Sequence, residues 1–159
     1  MASGKNEFEV VRSATIAAPA QKVFDLIVDF HRWTEWSPWE DVDPALQRTY
    51  SGAGSGVGAV YEWSGNRKAG TGRMEITGVA PASEVVVALQ FLKPFKSSNT
   101  TTFELTENAV GTFVTWRMVG PKTLVTKLMG VFSSMDKVIG PDFEKGLTRL
   151  TKAAQGDAA

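Results

Sequence analysis

The feature that most constrains this chain is an amphipathic helix predicted over residues 133–154. Apolar residues recur there in steps of three and four, at Met135, Ile139, Phe143, Leu147 and Leu150. Such steps place the side chains on one face of a helix, and that face must be buried. The same phase continues backwards through Phe132, Leu128 and Leu124. The rest of the chain must therefore supply an apolar surface large enough to cover a long helix.

Two residues are unusual for such a helix. Pro141 lacks a backbone donor and crowds the carbonyl of Lys137, so it predicts either a kink or the start of a second helix. The unbroken apolar phase favours one kinked helix. Gly146 lies within the apolar face, where glycine costs about 1 kcal/mol relative to alanine. Two explanations are open for it: close approach of a strand, for instance under the indole of Trp116, or an open cavity floor.

The preceding residues have the pattern of a sheet. A first strand is predicted over residues 8–16, followed by a helix from Pro19 through Phe30. From residue 46 the apolar period is two, and turn residues divide this part into strands at 46–50, 57–64, 70–79, 84–91, 99–107 and 112–119. Short connections imply an antiparallel meander. The predicted fold is α+β, a seven-stranded curved antiparallel sheet wrapped around the C-terminal helix in the order β-α-β6-α.

Length and charge limit the possible functions. The 159 residues predict a single domain over residues 1–159, with a core over about 8–154 and flexible termini. Lys plus Arg equals Asp plus Glu, at 17 each, so no net charge attracts nucleic acid. No stretch resembles a signal peptide or a membrane span, which predicts a cytoplasmic protein without stable membrane insertion. The oligomeric state is left open.

Several segments carry a resemblance to a known family: IAAPAQKVFDLIVDFHRWTEWSPW, GVGAVYEWSGN, GTGRMEITG, FLKPF, VTWRM and DFEKGLTRL. With the order of elements, they resemble the polyketide cyclase/dehydrase and lipid transport family of the START/Bet v 1-like (SRPBCC) superfamily. The resemblance spans residues 10–152 and implies a helix-grip fold with an apolar cavity between the sheet and the C-terminal helix. Members include aromatase/cyclases, lipid and ubiquinone carriers, plant hormone binders and chaperone co-factors, and they share no catalytic motif that could be transferred.

Strand alternation supplies the candidate binding residues. Tyr61, Trp63 and Trp116 face inward and carry polar tips that need partners when buried. Three such groups on a concave face favour an amphipathic ligand or trapped water, while plain core packing is the alternative. The candidate ligand-binding residues are Trp36, Tyr61, Trp63, Met74, Phe91, Phe95, Trp116, Met118, Phe143 and Gly146.

A tryptophan repeat follows the first predicted helix. Trp33, Trp36 and Trp39 recur every three residues and form either a cap that closes the core or a rim around the cavity mouth. The neighbouring acidic residues would repel an anionic membrane. Phe95, which stands in LKPFK between two lysines, is a better candidate for an exposed aromatic residue at the entrance.

Catalysis has few candidates in this sequence. A cyclase needs a positioned acid or base, for which Tyr61, His31 and Glu35 are the candidates, with Asp29 and Glu62 beside them. No two of these have a spacing that compels a pair, and a lone histidine at the position of His31 is more often a partner of the helix C-terminus than a catalyst. No metal or other cofactor is expected, because the chain has one histidine and no cysteine. The segment SGAGSGVG precedes a strand rather than a helix, which argues against a phosphate site.

Three classes of function remain. The first is binding or carriage of a small hydrophobic or amphipathic ligand in a cavity between the sheet and the C-terminal helix. The second is a polyketide cyclase/dehydratase-type enzyme that works without a metal, and the third is a protein-interaction module of the chaperone co-factor kind. The concave aromatic face favours the first class, with a small hydrophobic molecule as the partner.

Overall fold

The computed structural model describes residues 7–40, 43–66, 70–93, 96–121 and 135–156. The chain begins with strand β1 (Glu7–Ile16), helix α1 (Ala20–Val28) and a 3₁₀ helix (Phe30–Glu35), and its last described element is helix α2 (Met135–Gly156). Between them lie β2 (Gln47–Gly52), β3 (Ala59–Ser64), β4 (Thr71–Ala80), β5 (Glu84–Lys93), β6 (Ser97–Asn108) and β7 (Gly111–Pro121). The predicted order of strand, helix, six strands and helix is confirmed.

The strands form one antiparallel sheet in the order β1-β7-β6-β5-β4-β3-β2. Strands β2 to β7 pair with their neighbours in sequence, as the short turns predict, and β1 joins the far edge by pairing with β7. Two register shifts occur in β4, at Thr71/Gly72 and Ile76/Gly78. Such bulges bend a strand and increase its twist. The sheet curves around α2, so the predicted helix-grip fold is confirmed.

The core lies between the concave face of the sheet and the helices. Phe143, Leu147 and Leu150 of α2 are buried, and Ile139 packs partly buried beside them. Each such side chain stabilises the folded state by about 1.5–3 kcal/mol when fully buried. The predicted stripe is therefore confirmed for this part of α2. Its extension through Leu124, Leu128 and Phe132 lies outside the described residues.

Pro141 lies inside α2, which runs as one helix from Met135 to Gly156. The structure thus has one helix here rather than two, which is the alternative that the unbroken apolar phase favours. A proline in a helix interior removes one backbone hydrogen bond. Most helical stability in proteins comes from packing of the apolar face, and that packing holds α2 together across Pro141.

The predicted first helix ends earlier than expected, at Val28 rather than at Phe30. Asp29 is extended, and its carboxylate accepts a hydrogen bond from the backbone N–H of His31 at 2.9 Å. This bond caps the 3₁₀ helix, an element that the sequence analysis did not predict. Aspartate favours such caps because its side chain competes for nearby backbone donors.

Two tryptophans close the end of the core beside α1. The indole N–H of Trp33 donates to the carbonyl of Ile27, and that of Trp36 donates to the carbonyl of Leu26, both at 2.8 Å. Carbonyls in the last turn of a helix lack partners within it, so the indoles satisfy them. Trp33 and Trp36 are buried, whereas Trp39 is 37% exposed. The cap interpretation therefore holds for Trp33 and Trp36, and Trp39 lies at the surface.

Gly146 is a close-packing position. A Cβ atom on Gly146 would lie 2.6 Å from Cζ3 of Trp116 and 3.0 Å from Cδ of Pro38. The indole of Trp116 stacks in turn on the ring of Phe143, with the ring centroids 4.1 Å apart. Of the two explanations for Gly146, the structure supports close approach under Trp116. The alternative of an open cavity floor at Gly146 is wrong.

Candidate ligand-binding cavity

A partly enclosed cavity of about 180 Å³ lies between the sheet and α2. Most of its wall is apolar or aromatic, as is usual for small-molecule sites. The described residues that line it are Trp33, Ser37, Trp39, Glu40, Leu46, Tyr61, Trp63, Met74, Leu89, Phe91, Met118, Ile139 and Asp142. Its volume is slightly above the roughly 150 Å³ of an engineered core cavity that binds benzene. It is below the roughly 300 Å³ at which drug-sized sites begin, so a molecule of one or two rings fits it.

Strand register builds the wall of the cavity. Tyr61 of β3 lies opposite Met74 of β4, which lies opposite Leu89 of β5. Residues directly opposite one another share a face of the sheet, so these three side chains form one row. Trp63 lies two residues beyond Tyr61 on the same face, and a Cβ atom on Gly72 would collide with its indole. The glycine therefore allows the Trp63 ring to lie across β4.

Tyr61 is the polar centre of this wall. Its hydroxyl donates to Oε2 of Glu40 at 2.9 Å, and Nε of Arg48 donates to Oε1 of the same carboxylate at 2.8 Å. Burial raises the pKa of Tyr61, and the charge of Glu40 and the hydrogen bond to it raise that pKa further. Tyr61 therefore keeps its proton at neutral pH. It can donate a hydrogen bond, but it is unsuited to act as a general base.

The raised pKa of Tyr61 predicts a loss of stability above pH 10. The unfolded chain, in which the tyrosine pKa is near 10, loses this proton before the folded chain does. The stabilisation is complete below that value and decreases as the pH rises towards the folded-state pKa. Thermal midpoints measured between about pH 8 and about pH 11 should fall more steeply for the wild type than for Tyr61→Phe. The substitution Tyr61→Phe removes no other ionisable side chain, so parallel curves would contradict the assignment.

The candidate binding residues fall into three groups. Five of them line the cavity: Tyr61, Trp63, Met74, Phe91 and Met118. Four others, Trp36, Trp116, Phe143 and Gly146, lie in the core and are not among the lining residues. Phe95 lies outside the described residues.

The core position of the second group has a packing reason. Trp116 does face inward, as its alternation predicts, but Trp36 and Phe143 occupy the space in front of it. The ring of Trp36 meets that of Trp116 edge-on, with the centroids 5.5 Å apart. Phe143 stacks on Trp116, with the two rings inclined by 10°. These contacts leave Trp116 only 1% exposed, so its ring packs in the core and does not line the cavity.

The candidate catalytic residues do not converge on the cavity. His31 has its ring Nδ1 2.9 Å from Oδ1 of Asp29 and stacks on Tyr50, with ring centroids 4.1 Å apart. It lies in the 3₁₀ helix, and its contact at the end of α1 is with the side chain of Asp29, the residue that follows the last helical residue, Val28. Glu35 pairs with Arg32 at 2.9 Å on the surface. Of the candidates, only Tyr61 lines the cavity.

Several lining residues were not among the sequence candidates: Trp33, Ser37, Trp39, Glu40, Leu46, Leu89, Ile139 and Asp142. Leu89 and Ile139 carried a signal, because they follow the inward alternation of β5 and the apolar stripe of α2. Glu40 carried none. Its carboxylate turns inward, with the side chain only 12% exposed, because Arg48 and Tyr61 bind it from other parts of the chain.

The acidic segment that follows Trp39 is largely structural. Besides Glu40, Asp43 is buried and accepts hydrogen bonds from the backbone N–H groups of Ala45 and Asn66, both at 2.8 Å. Within the described ranges, no three His, Asp or Glu side chains cluster closely enough to ligate a metal ion. In the same part of the chain, no helix combines the length and apolarity needed to cross a bilayer.

Comparison with known proteins identifies relatives in sequence and in fold. Residues 7–155 match the model of a family described as polyketide cyclase / dehydrase and lipid transport. No curated protein matches the sequence.

Solved structures share the fold at low identity. A protein from Rhizobium loti is 21% identical, with a TM-score of 0.65 over 92% of this chain and 96% of that chain. A protein from Mycobacterium smegmatis is 18% identical, with a TM-score of 0.65 over 98% of this chain and 96% of that chain. The di-domain ARO/CYC StfQ from the steffimycin biosynthetic pathway is 12% identical, with a TM-score of 0.69, and the match covers 96% of this chain and 52% of StfQ. At such identities the likeness concerns the fold.

Proposed function

The chain belongs to the polyketide cyclase/dehydrase and lipid transport family, and we propose that it binds a small apolar or amphipathic molecule in the cavity between the sheet and α2. The observation that carries the proposal is the cavity itself. Protein interiors pack to the density of organic crystals and rarely leave voids larger than a water molecule. A space of about 180 Å³ with aromatic and aliphatic walls is an exception that a ligand would explain.

Trp39 supports the proposal as a cover for the cavity mouth. It both lines the cavity and is 37% exposed, so its indole lies between the interior and the solvent. One side of the ring meets Trp116 and Phe143 edge-on, with centroids 5.8 and 6.2 Å away. The indole of Trp39 therefore forms part of the boundary between the cavity and the solvent.

Two methionines give the wall some freedom to adapt. Met74 and Met118 both line the cavity. Unbranched thioether side chains can change rotamer and make favourable contacts with aromatic rings. The cavity can therefore accommodate molecules that differ somewhat in shape, as expected of a carrier or a sensor.

A cyclase or dehydratase function has less support. StfQ is an aromatase/cyclase by name, but a 12% identical neighbour transfers no residue roles to this chain. Cyclisation needs a positioned acid or base. Tyr61 retains its proton, and both oxygens of Glu40 already accept hydrogen bonds, from Tyr61 and from Arg48. Asp142 is the one remaining carboxylate of the described lining, and no second lining group is hydrogen-bonded to it for proton transfer. Such a site can hold and orient a molecule, and we therefore propose binding rather than chemistry.

The proposal predicts that Leu89→Phe weakens the binding of naphthalene, measured by calorimetry, by roughly tenfold, the effect of a carbon or two in an apolar pocket. Leu89 lines the cavity, so the added ring carbons occupy part of the space that the ligand needs. Leu92→Phe is the matched control. It makes the same change on the same strand at a position that is 42% exposed and not among the lining residues.

We expect Leu92→Phe to bind naphthalene like the wild type. Wild-type protein that binds no naphthalene would sink the proposal. Equal weakening in both variants would also count against it, since the effect would then not arise in the cavity.

A further inference from the structure

We infer that the cavity selects apolar molecules that carry a neutral hydrogen-bond donor, such as a phenol, and rejects their carboxylate counterparts. The inference rests on the proposed function, because it assigns a ligand class to the same cavity. It is carried by the polar side chains in and beside the cavity. The described lining residues include the carboxylates of Glu40 and Asp142 but no lysine or arginine.

Glu40 contributes acceptor oxygens rather than net charge. Its carboxylate pairs with Arg48 at 2.8 Å, and the Glu40 side chain is only 12% exposed. The hydroxyl of Tyr61 donates to the same group, and the hydroxyl of Ser37, the other lining residue that carries one among the described residues, accepts from the backbone N–H of Trp39 at 3.4 Å. A ligand that offered only acceptors would find neither Arg48 nor Tyr61 available here.

Asp142 is the uncompensated charge of the cavity. It lines the cavity from α2, and within the described part of the chain it has no ion-pair or hydrogen-bond partner. Two arginines near this end of α2 have other contacts: Arg12 pairs with Glu144 at 2.7 Å, and Arg149 donates to the carbonyl of Ser37 at 3.1 Å. A ligand carboxylate would meet the charge of Asp142 in a space poorer in water than bulk solvent, where repulsion is stronger.

Strand β6 adds two buried oxygens without partners. Within the described part of the chain, Oδ1 of Asn99 and Oγ1 of Thr101 have no hydrogen-bond partner, and the two residues are 6% and 5% exposed. Asn99 lies opposite Leu89, and Thr101 lies opposite Met118. Opposite residues share a face of the sheet, and both Leu89 and Met118 line the cavity.

These orphan oxygens have an energetic consequence. A buried polar group that lacks its hydrogen bond destabilises the fold by about 1–3 kcal/mol. The amide nitrogen of Asn99 donates to Ser97 at 3.0 Å, and its Oδ1 lies over Gly120. Neither Asn99 nor Thr101 is among the lining residues, so a ligand donor reaches these oxygens only where Leu89 and Met118 move aside. A carboxylate carries no donor for Oδ1 of Asn99.

The test compares naphthalene, naphthol and naphthoate at neutral pH, with both substituents at the same ring position. Wild-type protein should bind naphthol several-fold more tightly than it binds naphthalene. It should bind naphthol at least about tenfold more tightly than it binds naphthoate. Any apolar cavity disfavours an ion, so the ratio of the naphthol and naphthoate affinities of the wild type is not decisive by itself. The variants decide the matter.

Asp142→Asn removes the uncompensated charge and should raise the naphthoate affinity several-fold while leaving that of naphthalene unchanged. Asp25→Asn is the matched control, because it makes the same substitution at an exposed position of α1, where the carboxylate accepts a hydrogen bond from the uncharged side chain of Gln21. The control should not alter the affinity for any of the three probes. Equal naphthoate affinity in the two variants would overturn the role of Asp142.

Thr101→Val replaces the orphan hydroxyl by a methyl group of similar size. It should keep or raise the stability and reduce the preference for naphthol over naphthalene about threefold. Naphthalene binding without any preference for naphthol would overturn the inference while the proposed function stood. Absence of naphthalene binding would instead overturn the proposed function itself.

Discussion

Replacing Trp36 with alanine is expected to destabilise the protein by about 3–5 kcal/mol, the usual cost of truncating a buried tryptophan. Trp36 is 0% exposed, and its indole N–H is bonded to the carbonyl of Leu26. Its ring meets those of Trp116 and Phe103 edge-on, with centroids 5.5 and 5.9 Å away. Truncation would leave a void and an unsatisfied carbonyl at the end of the core beside α1. Denaturant unfolding measures the loss of free energy directly.

Trp39→Ala is the matched substitution with the opposite expectation. Trp39 is partly exposed and lines the cavity, so its loss should cost much less stability and should weaken naphthalene binding. Whether Trp36 contributes to ligand binding is tested with Trp36→Phe, because phenylalanine keeps most of the core volume filled. The folded fraction of Trp36→Phe should bind naphthalene like the wild type. Weakened binding with unchanged stability in Trp36→Phe would return Trp36 to the ligand site.

Gly146→Leu is expected to destabilise the protein at the upper end of the roughly 1–3 kcal/mol that overpacking costs. Even a Cβ atom would lie 2.6 Å from the indole of Trp116, which cannot move aside because it stacks on Phe143. Helix propensity returns only about 1 kcal/mol. Gly146→Ala meets the same contact with a smaller group and should show a smaller loss.

Gly156→Ala is the control, since it lies on the same helix with no atom within 4 Å of the added methyl group. It should be neutral or slightly stabilising in denaturant unfolding. The folded fractions of both Gly146 variants should bind naphthalene with wild-type affinity, because Gly146 does not line the cavity. A more stable Gly146→Leu protein with lost binding would show that the glycine opens the cavity after all.

Local patterns in the sequence determined the elements and their order. The two-residue alternation from residue 46 and the turn residues between its segments predicted strands β2 to β7, and each of them is present. The steps of three and four predicted the buried face of α2, including Phe143, Leu147 and Leu150. These features can be derived from sequence because periodicity and turn chemistry act between residues that are close along the chain.

Only the tertiary structure decided where the cavity lies. Trp116 and Met118 have the same alternation on β7, yet Trp116 is covered by Trp36 and Phe143 whereas Met118 lines the cavity. Alternation says which side chains point inward. Whether an inward side chain meets another ring or an empty space depends on volumes contributed by distant segments.

The polar residues of the site depend most clearly on the tertiary structure. Glu40 belongs to a segment that looks like an exposed acidic patch in the sequence, and it is turned inward by Arg48 and by Tyr61, which lies 21 residues away. Asp142 lines the cavity from α2, and among the described residues no ion pair joins a cation to it. The sequence by itself thus determined the sheet, the helix and the face between them. The charge and extent of the cavity were decided by contacts between residues far apart in the chain, because burial and pairing are properties of the assembled core.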